Sequence, residues 1–268
     1  MTPWYSRYGP KGGFESIDDC FGDLASHVHA VETGLSSDPS MNWRVPELDD
    51  RTIVWFSDAH SAPRMGRELT VFAGEPSYDA FLQAIRTPSG IQGQEVDHTI
   101  EFYPQEGKYH YDGHRKCDVS QHPAVTLERG ERSPVCGRKL TVGVLNRMEA
   151  LARRPDSVAQ RDDGAYVDPA GRRPPFRRLV PLDEIIAESL GRGSNTKGVR
   201  ALYDHLIVGI GPEIAILETA TSDANAGAVD HASAARIADG VIRARLGNID
   251  VQPGNDGVYG TVRLWPVG

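Results

Sequence analysis

The sequence predicts an α/β fold followed by a mostly helical C-terminal region, and three observations predict it. Thr52-Ile-Val-Trp-Phe56 is a continuous apolar run of strand length, as expected for a strand covered on both faces. Helix signals alternate with strand signals through the first hundred residues. After residue 179 the strand signals give way to three helix-length segments, two of them ending at a glycine.

Residues 1–15 are rich in glycine and aromatics and read as loop. Ser16 can cap a helix whose apolar positions include Ile17, Phe21 and Leu24. Val28 to Leu35 reads as a strand, and Thr52–Phe56 as a second, more buried one. Ser77 caps a helix over Asp79–Arg86. The stretch 1–103 is therefore the α/β part. Pro104 to Lys139 lacks sustained periodicity and holds two cysteines and three histidines, so 104–145 reads as a small irregular module. Asn146–Arg154 is a helix stopped by Pro155. Residues 155–178, polar, basic and interrupted by Pro and Gly, read as a linker that completes a segment 146–178. The helical domain, 179–268, contains Leu182–Leu190 ending at Gly191, then Thr196–Val208, then Asp230–Leu246 stopped by Gly247. Val251 to Trp265 is a turn cluster followed by alternating apolar residues, a short strand or hairpin. No internal repeat is visible.

Composition narrows the function classes. The chain has 268 residues, with 28 Gly and 18 Pro, which predicts many turns. No apolar run is long enough to cross a membrane, and Met1–Arg7 lacks the basic-then-apolar pattern of a secretory signal. Three cysteines, Cys20, Cys117 and Cys136, suggest a reducing cytoplasm rather than a disulfide scaffold. The formal net charge is -8, yet residues 108–178 carry 15 Lys and Arg against 9 Asp and Glu. A basic middle in an acidic chain suits contact with nucleic acid, or is merely a solvated loop region.

The residues able to carry chemistry begin with Ser57-Asp58-Ala59-His60, directly after the apolar strand. Strand C-termini face the active site in parallel barrels. In extended backbone Asp58 and His60 would point the same way, as a carboxylate–imidazole pair able to bind Zn²⁺, Mn²⁺ or Fe²⁺. The plainer alternative is an Asp capping the next turn beside a surface His. Arg64 and Arg67 follow closely and could hold phosphate oxygens. Tyr109, His110, Tyr111, His114, Arg115 and Lys116 interleave aromatics with cations, a pattern that can stack a base and neutralise phosphates, or simply pack as a loop. Glu32, at a strand end, is a further candidate near the metal. The glycines of 254–260 could let backbone approach DNA, or form a tight turn.

Several blocks in this order resemble one family. VETGLSSDPSMNWR at 31–44, SDAHSAPRMGRE at 57–68, TIEFYPQEGKYHYDGHRKC at 99–117 and GNDGVYG at 254–260 are similar to the corresponding blocks of endonuclease Q. The resemblance implies the C-terminal part of a distorted (β/α) barrel of the polymerase-and-histidinol-phosphatase (PHP) type. It further implies a zinc-ribbon-like module and a helical C-terminal region. The activity implied is metal-dependent cleavage of DNA on the 5′ side of deaminated bases or at abasic sites, with divalent metal (Zn, Mn, Mg or Fe) as cofactor and damaged duplex or single-stranded DNA as partner. Asp58 and His60 match the family's last metal-ligand motif.

Two departures accompany the resemblance. The family's His-x-His pair and its other upstream ligands have no counterpart here, because His27-Val28-His29 stands in a different context. A catalytic zinc takes three protein ligands, so the sequence predicts weak catalytic-metal binding, with the missing half of the PHP domain coming from elsewhere, for instance a separate chain. In the zinc module the family's two Cys-x-x-Cys pairs read Cys117-Asp-Val-Ser120 and Ser133-Pro-Val-Cys136, which predicts a degenerate site unless His114 or His122 substitutes. Three functional readings remain: a nuclease, a non-catalytic DNA- or partner-binding remnant of one, and a small-molecule phosphoesterase.

Overall fold

The computed structural model describes residues 14–219 and 231–266, so the expected loop at the extreme N-terminus lies almost wholly outside the described residues. The chain divides into two compact units. The first comprises residues 1–160, 166–176 and 251–261, and the second residues 161–165, 177–250 and 262–268.

In the first unit, α1 (Ile17–Phe21) starts where expected, the Ser16 hydroxyl accepting from the Asp19 amide at 2.9 Å. A 3₁₀ turn leads into β1 (Ala30–Glu32), shorter than the sequence suggests. Next comes α2 (Pro39–Trp43), capped by Asp38 with proline in its first turn. Strand β2 (Thr52–Val54) lies parallel to β1, with Ala30 opposite Thr52 and Glu32 opposite Val54. Ile17, Met41, Val45, Leu48, Val144 and Met148 form one buried cluster against which Val28 and Val31 pack. Burial of each such side chain stabilises by roughly 1.5–3 kcal/mol, enough to lock α1, α2 and α5 (Val144–Leu151) around β1.

A five-stranded sheet runs in the order β3-β4-β9-β8-β7. Strand β3 (Leu69–Phe72) pairs antiparallel with β4 (Val96–Glu101), with a register shift between Val71 and Phe72. Between them α3 (Tyr78–Arg86) begins at the predicted cap, Ser77. The other three strands, β7 (Ala159–Gln160), β8 (Tyr166–Val167) and β9 (Phe176–Arg178), occupy the stretch read from sequence as a linker. They are only two or three residues long, so alternation had no length over which to appear. Phe176 anchors them, fully buried, stacked on Tyr166 at 5.0 Å and edge-on to Trp43 at 5.5 Å. The irregular module contains the hairpin β5 (Asp112–His114) and β6 (Val119–Gln121) and the short helix α4 (Pro123–Arg129).

The second unit is helical: α6 (Leu182–Ser189), α7 (Lys197–Gly209), α8 (Glu213–Thr219) and α9 (His231–Leu246). The sequence reading anticipated all of these but α8. Helix α6 packs against both α7 and α9 through Leu182, Ile185, Ile186, Val199 and Ile237, all essentially inaccessible. Gly240 permits the α6–α9 approach, since a Cβ there would stand 2.9 Å from Ile185. Glu213 ties three helices together, accepting from the Leu182 amide at 2.7 Å and the Tyr203 hydroxyl at 2.8 Å. The C-terminal hairpin expected from sequence is β10 (Asp250–Gln252) with β11 (Thr261–Arg263). No helix among the described residues is long and apolar enough to cross a membrane.

Candidate functional site

Parallel pairing brings the C-terminal ends of β1 and β2 to the same edge of the first unit. Glu32 closes β1 and is exposed, and four residues beyond β2 stands Asp58, also exposed. The extended geometry expected for Asp58-Ala59-His60 is not adopted. Asp58 has φ of 45°, a left-handed conformation uncommon for a side-chain-bearing residue and concentrated at functional sites. The chain turns there, and His60 Nδ1–H donates to the Asp58 carbonyl at 2.7 Å. This hydrogen bond leaves Nε2 as the imidazole's acceptor nitrogen. Arg64 is exposed in the following 3₁₀ turn and Arg67 is half-buried.

The loop after Glu32 is held rigidly from below. Thr33 is buried; its amide donates to the Val54 carbonyl and its hydroxyl to Glu101 Oε2 at 3.0 Å. Thr99 meets the other oxygen of Glu101 at 2.5 Å. Ser37 donates to the Thr33 carbonyl at 2.7 Å, and Asn42 donates to Ser37 at 3.1 Å and to the Asp38 carbonyl at 2.7 Å. The polar residues of 33–42 thus form a buried hydrogen-bonded network beneath the strand ends, with the Asn42 Oδ1 left without a partner. Burial pushes the Glu101 carboxyl up to about 8, with the nearby Asp38 charge adding to the rise and the hydrogen bonds from Thr99 and Thr33 opposing it, so it is largely protonated at neutral pH.

The donors of Asp58 and His60 belong to no group of three His, Cys, Asp or Glu donors among the described residues. A catalytic metal centre does not fit this set, since two ligands fall short of the three that even a single catalytic zinc takes.

The one such trio among the described residues is His114, Cys117 and Cys136, whose ligand atoms all lie within 4.8 Å of one another. The β5–β6 hairpin builds half of it: His114 ends β5, and Cys117 sits in the 3₁₀ turn before Asp118, whose φ is 53°. A second tight turn presents Cys136. There Gly137 N–H donates to the Ser133 carbonyl, and Ser133 Oγ accepts from the amides of Val135 and Cys136 at 3.3 and 3.4 Å. Serine at 133 keeps the amide contacts of the turn while removing a thiolate ligand. Ser120 is exposed, and His122 instead caps α4 through Nδ1, so neither joins the trio. His114 Nδ1 is buried without a hydrogen-bond partner beside the two thiols, as an imidazole awaiting a Lewis acid would be. The Arg138 N–H and then the Ser133 hydroxyl hold the Cys136 thiol below its ordinary pKa, whereas the hydrogen bond with Cys136 raises that of Cys117. Two thiols and an imidazole within mutual ligand distance fit a borderline-soft divalent ion.

The basic stretch meets the Gly254–Gly260 loop. Tyr111 N–H donates to the Gly254 carbonyl, Gly254 N–H to Gln105, Gly257 N–H to Lys108 and Gly260 N–H to Glu106, all between 2.8 and 3.0 Å. A Cβ on Gly260 would collide with the Gln105 carbonyl, which explains the glycine. Asp256 accepts from the Arg115 amide at 2.7 Å and the Thr141 hydroxyl at 2.5 Å. The result is a surface on which Lys108 Nζ stands 5.4 Å from the Tyr259 ring and 5.9 Å from that of Tyr109, beside the exposed Arg115 and Lys116. Tyr259, 70% exposed, was missed by the sequence reading, and only the loop's packing onto 105–115 reveals it. His110, expected on this surface, is instead 2% exposed and stacked on Tyr111.

Residues 181–246 match a family model described as the MJ0043 C-terminal domain. The chain is 32% identical to protein MJ0043 of Methanocaldococcus jannaschii over 99% of its own length and 31% of that protein's. It is 29% identical to YqxK of Bacillus subtilis over 98% of its length and 59% of the relative's. Among solved structures, the lesion-specific endonuclease PfuEndoQ of Pyrococcus furiosus superposes with a TM-score of 0.79 and 28% identity, covering 98% of this chain and 60% of that one. An endonuclease Q bound to a 27-mer duplex with an abasic lesion at its active site superposes with a TM-score of 0.75 and 27% identity, covering 98% of this chain and 61% of that one. The chain therefore spans about a third to three fifths of the proteins it resembles.

Proposed function

We propose that this chain is the lesion-facing and C-terminal portion of an endonuclease Q-type DNA repair nuclease, which hydrolyses the phosphodiester 5′ to deaminated bases or at abasic sites. The observation that carries the reading is the likeness, over nearly the whole chain, to an endonuclease Q holding a lesion-bearing duplex. Two features of the molecule support it. The strand-end edge carries Glu32, the left-handed Asp58 and His60 above a rigid buried network, an arrangement that fixes side chains where phosphate chemistry needs them. The surface of Lys108, Tyr109, Arg115, Lys116 and Tyr259 combines cations for phosphates with rings for unstacked bases.

Asp58 and His60 would contribute two ligands to the catalytic metal centre, Arg64 or Arg67 would hold a phosphate, and the remaining ligands belong to residues outside this stretch of polypeptide. No step of hydrolysis is assigned to the chain by itself. Its own contribution is to bind DNA and to hold one side of the centre. In the zinc-ribbon-like module, His114, Cys117 and Cys136 would hold a zinc ion as a structural clasp between the two turns. The incomplete ligand set also favours a second reading, in which this stretch binds DNA without cutting it.

Binding and cleavage of a uracil-containing and an abasic duplex, measured over a salt series with Mn²⁺ or Mg²⁺ present, test the reading. Binding that weakens with salt, with cleavage absent until the upstream portion of an endonuclease Q is supplied, is the expected result. Failure to bind either duplex at low salt would sink it. Binding that never yields cleavage when the upstream portion is supplied would select the second reading.

A further inference from the structure

At the opposite end of β2 from Asp58 lies a cavity of about 390 Å³, walled by the segment Asp49–Ile53 on one side and Gly171–Pro175 on the other, entirely within the first unit. That volume is in the range of small-molecule sites. Its charged lining is Asp49, Asp50, Arg51, Arg172 and Arg173.

Of the acidic lining groups, Asp50 is exposed to solvent and Asp49 is already engaged. Asp49 is gripped by both guanidinium nitrogens of Arg154 and, on the same carboxylate, by Arg173. The hydrogen bond from Arg154 holds its pKa below the usual carboxylate range. Asp168, just behind the second wall, is consumed by the amides of Ala170 and Arg172 at 3.0 and 3.3 Å.

The cations are not equally satisfied. Arg51 donates to the carbonyls of Asp50 and Ala25 at 3.1 and 3.2 Å, and its buried Nε has no partner. Arg173 has a side chain only 10% exposed and shares Asp49 with Arg154, while its Nη1 has no partner. Burial presses its pKa down, while the charges of Asp49 and Asp168 oppose that shift. Arg172 is 59% exposed and only loosely paired, 3.8 Å from Asp168. A guanidinium offers five N–H donors, and leaving buried ones unmet is costly. Two guanidiniums with unmet buried donors and a third, exposed one around one cavity suit an oxyanion. The rest of the wall mixes apolar residues, Trp43, Ile53 and Pro174 among them, with the hydroxyls of Thr52, Ser89 and Thr99.

We propose that this cavity binds a phosphate monoester of nucleotide size, its phosphate between Arg51, Arg172 and Arg173 and its planar part against Trp43 and Pro174. The site is separate from the Asp58–His60 edge and does not depend on the endonuclease reading. Its phosphate could be supplied by a free nucleotide or by the 5′ end of a DNA strand.

Calorimetric titration of the whole chain distinguishes these. The probes are deoxyadenosine 5′-monophosphate, deoxyadenosine, inorganic phosphate, and a short oligonucleotide with and without a 5′-phosphate. The free nucleotide should bind one to one, inorganic phosphate roughly ten-fold more weakly, and the nucleoside not measurably. Arg172→Gln, on an exposed side chain that leaves the Asp49 cluster intact, should weaken nucleotide binding roughly ten-fold. Arg173→Gln should do the same if it folds, and Arg172→Gln carries the test if it does not. A 5′-phosphate-dependent, Arg172-dependent gain for the oligonucleotide with no binding of free nucleotide would assign the phosphate to a strand end. Absence of saturable binding by every phosphate probe, affinity unchanged in Arg172→Gln, or equal affinity for inorganic phosphate and nucleotide would overturn the proposal.

Discussion

Replacing Glu101 with glutamine should change how stability depends on pH far more than it changes stability at acid pH. Glu101 is 2% exposed, meets Thr99 and Thr33 through its two oxygens, and has a carboxyl pKa raised from 4.5 to about 8. The native state therefore keeps a proton between these values that the unfolded state releases. Stability from this group is full below pH 4.5, falls as pH rises, and is gone above about pH 8. The difference of about 3.5 units, at 1.36 kcal/mol each, sets a ceiling of about 5 kcal/mol. Glutamine mimics the protonated acid: its amide can donate to one threonine while its carbonyl accepts from the other, whose hydroxyls rotate to suit. Urea denaturation of both proteins from pH 5 to pH 9 measures the difference, with other titrating groups cancelling between them. The variant should gain on the wild type by about 3–4 kcal/mol between pH 5 and pH 8 and then run parallel. A gap constant to within about 0.5 kcal/mol across that window would show that Glu101 is not held protonated, and the account of the network under Thr33 would fail.

The module should retain one zinc per chain after dialysis, and His114→Ala and Cys136→Ala should each release it, whereas His122→Ala should not; metal analysis by mass spectrometry reads this directly. Lys108→Ala should flatten the salt dependence of DNA affinity by about 1, and Arg115→Gln with Lys116→Gln by up to about 2. Tyr259→Ala should cost roughly 1–3 kcal/mol on single-stranded DNA through lost stacking, measurable by fluorescence anisotropy. Gly240→Ala should destabilise the helical unit by about 1–3 kcal/mol, seen in thermal unfolding, because the added methyl enters the space of Ile185.

What could be read from the sequence was what depends on neighbouring residues. Ser16, Ser77 and Gly191 marked helix ends correctly because caps act over three or four positions. Thr52–Val54 stood out as a continuous apolar run, although only the face of Thr52 and Val54 is fully buried and Ile53 is half-buried. The strands β7, β8 and β9 were hidden because each is only two or three residues long, too short for a pattern, and Phe176 anchors them through Tyr166. At the site, the cysteines signalled a metal module, but His114 as third donor required the hairpin register. The left-handed turn at Asp58 left no signal beyond the residue type that tolerates it.

The short segment 251–261 belongs to the first unit although some seventy intervening residues belong to the second. Asp256 reaches the Arg115 amide across 141 positions of sequence. During synthesis the β5–β6 hairpin therefore leaves the ribosome long before the loop that covers it. Translation proceeds at about 5–20 residues per second, so Lys108, Tyr109 and Arg115 wait uncovered for several seconds while the helices are made. The proposed nucleic-acid surface is completed only after the helical segment has been made, and a chain stopped after the helices would carry Cys117, Cys136 and the basic stretch but not Tyr259.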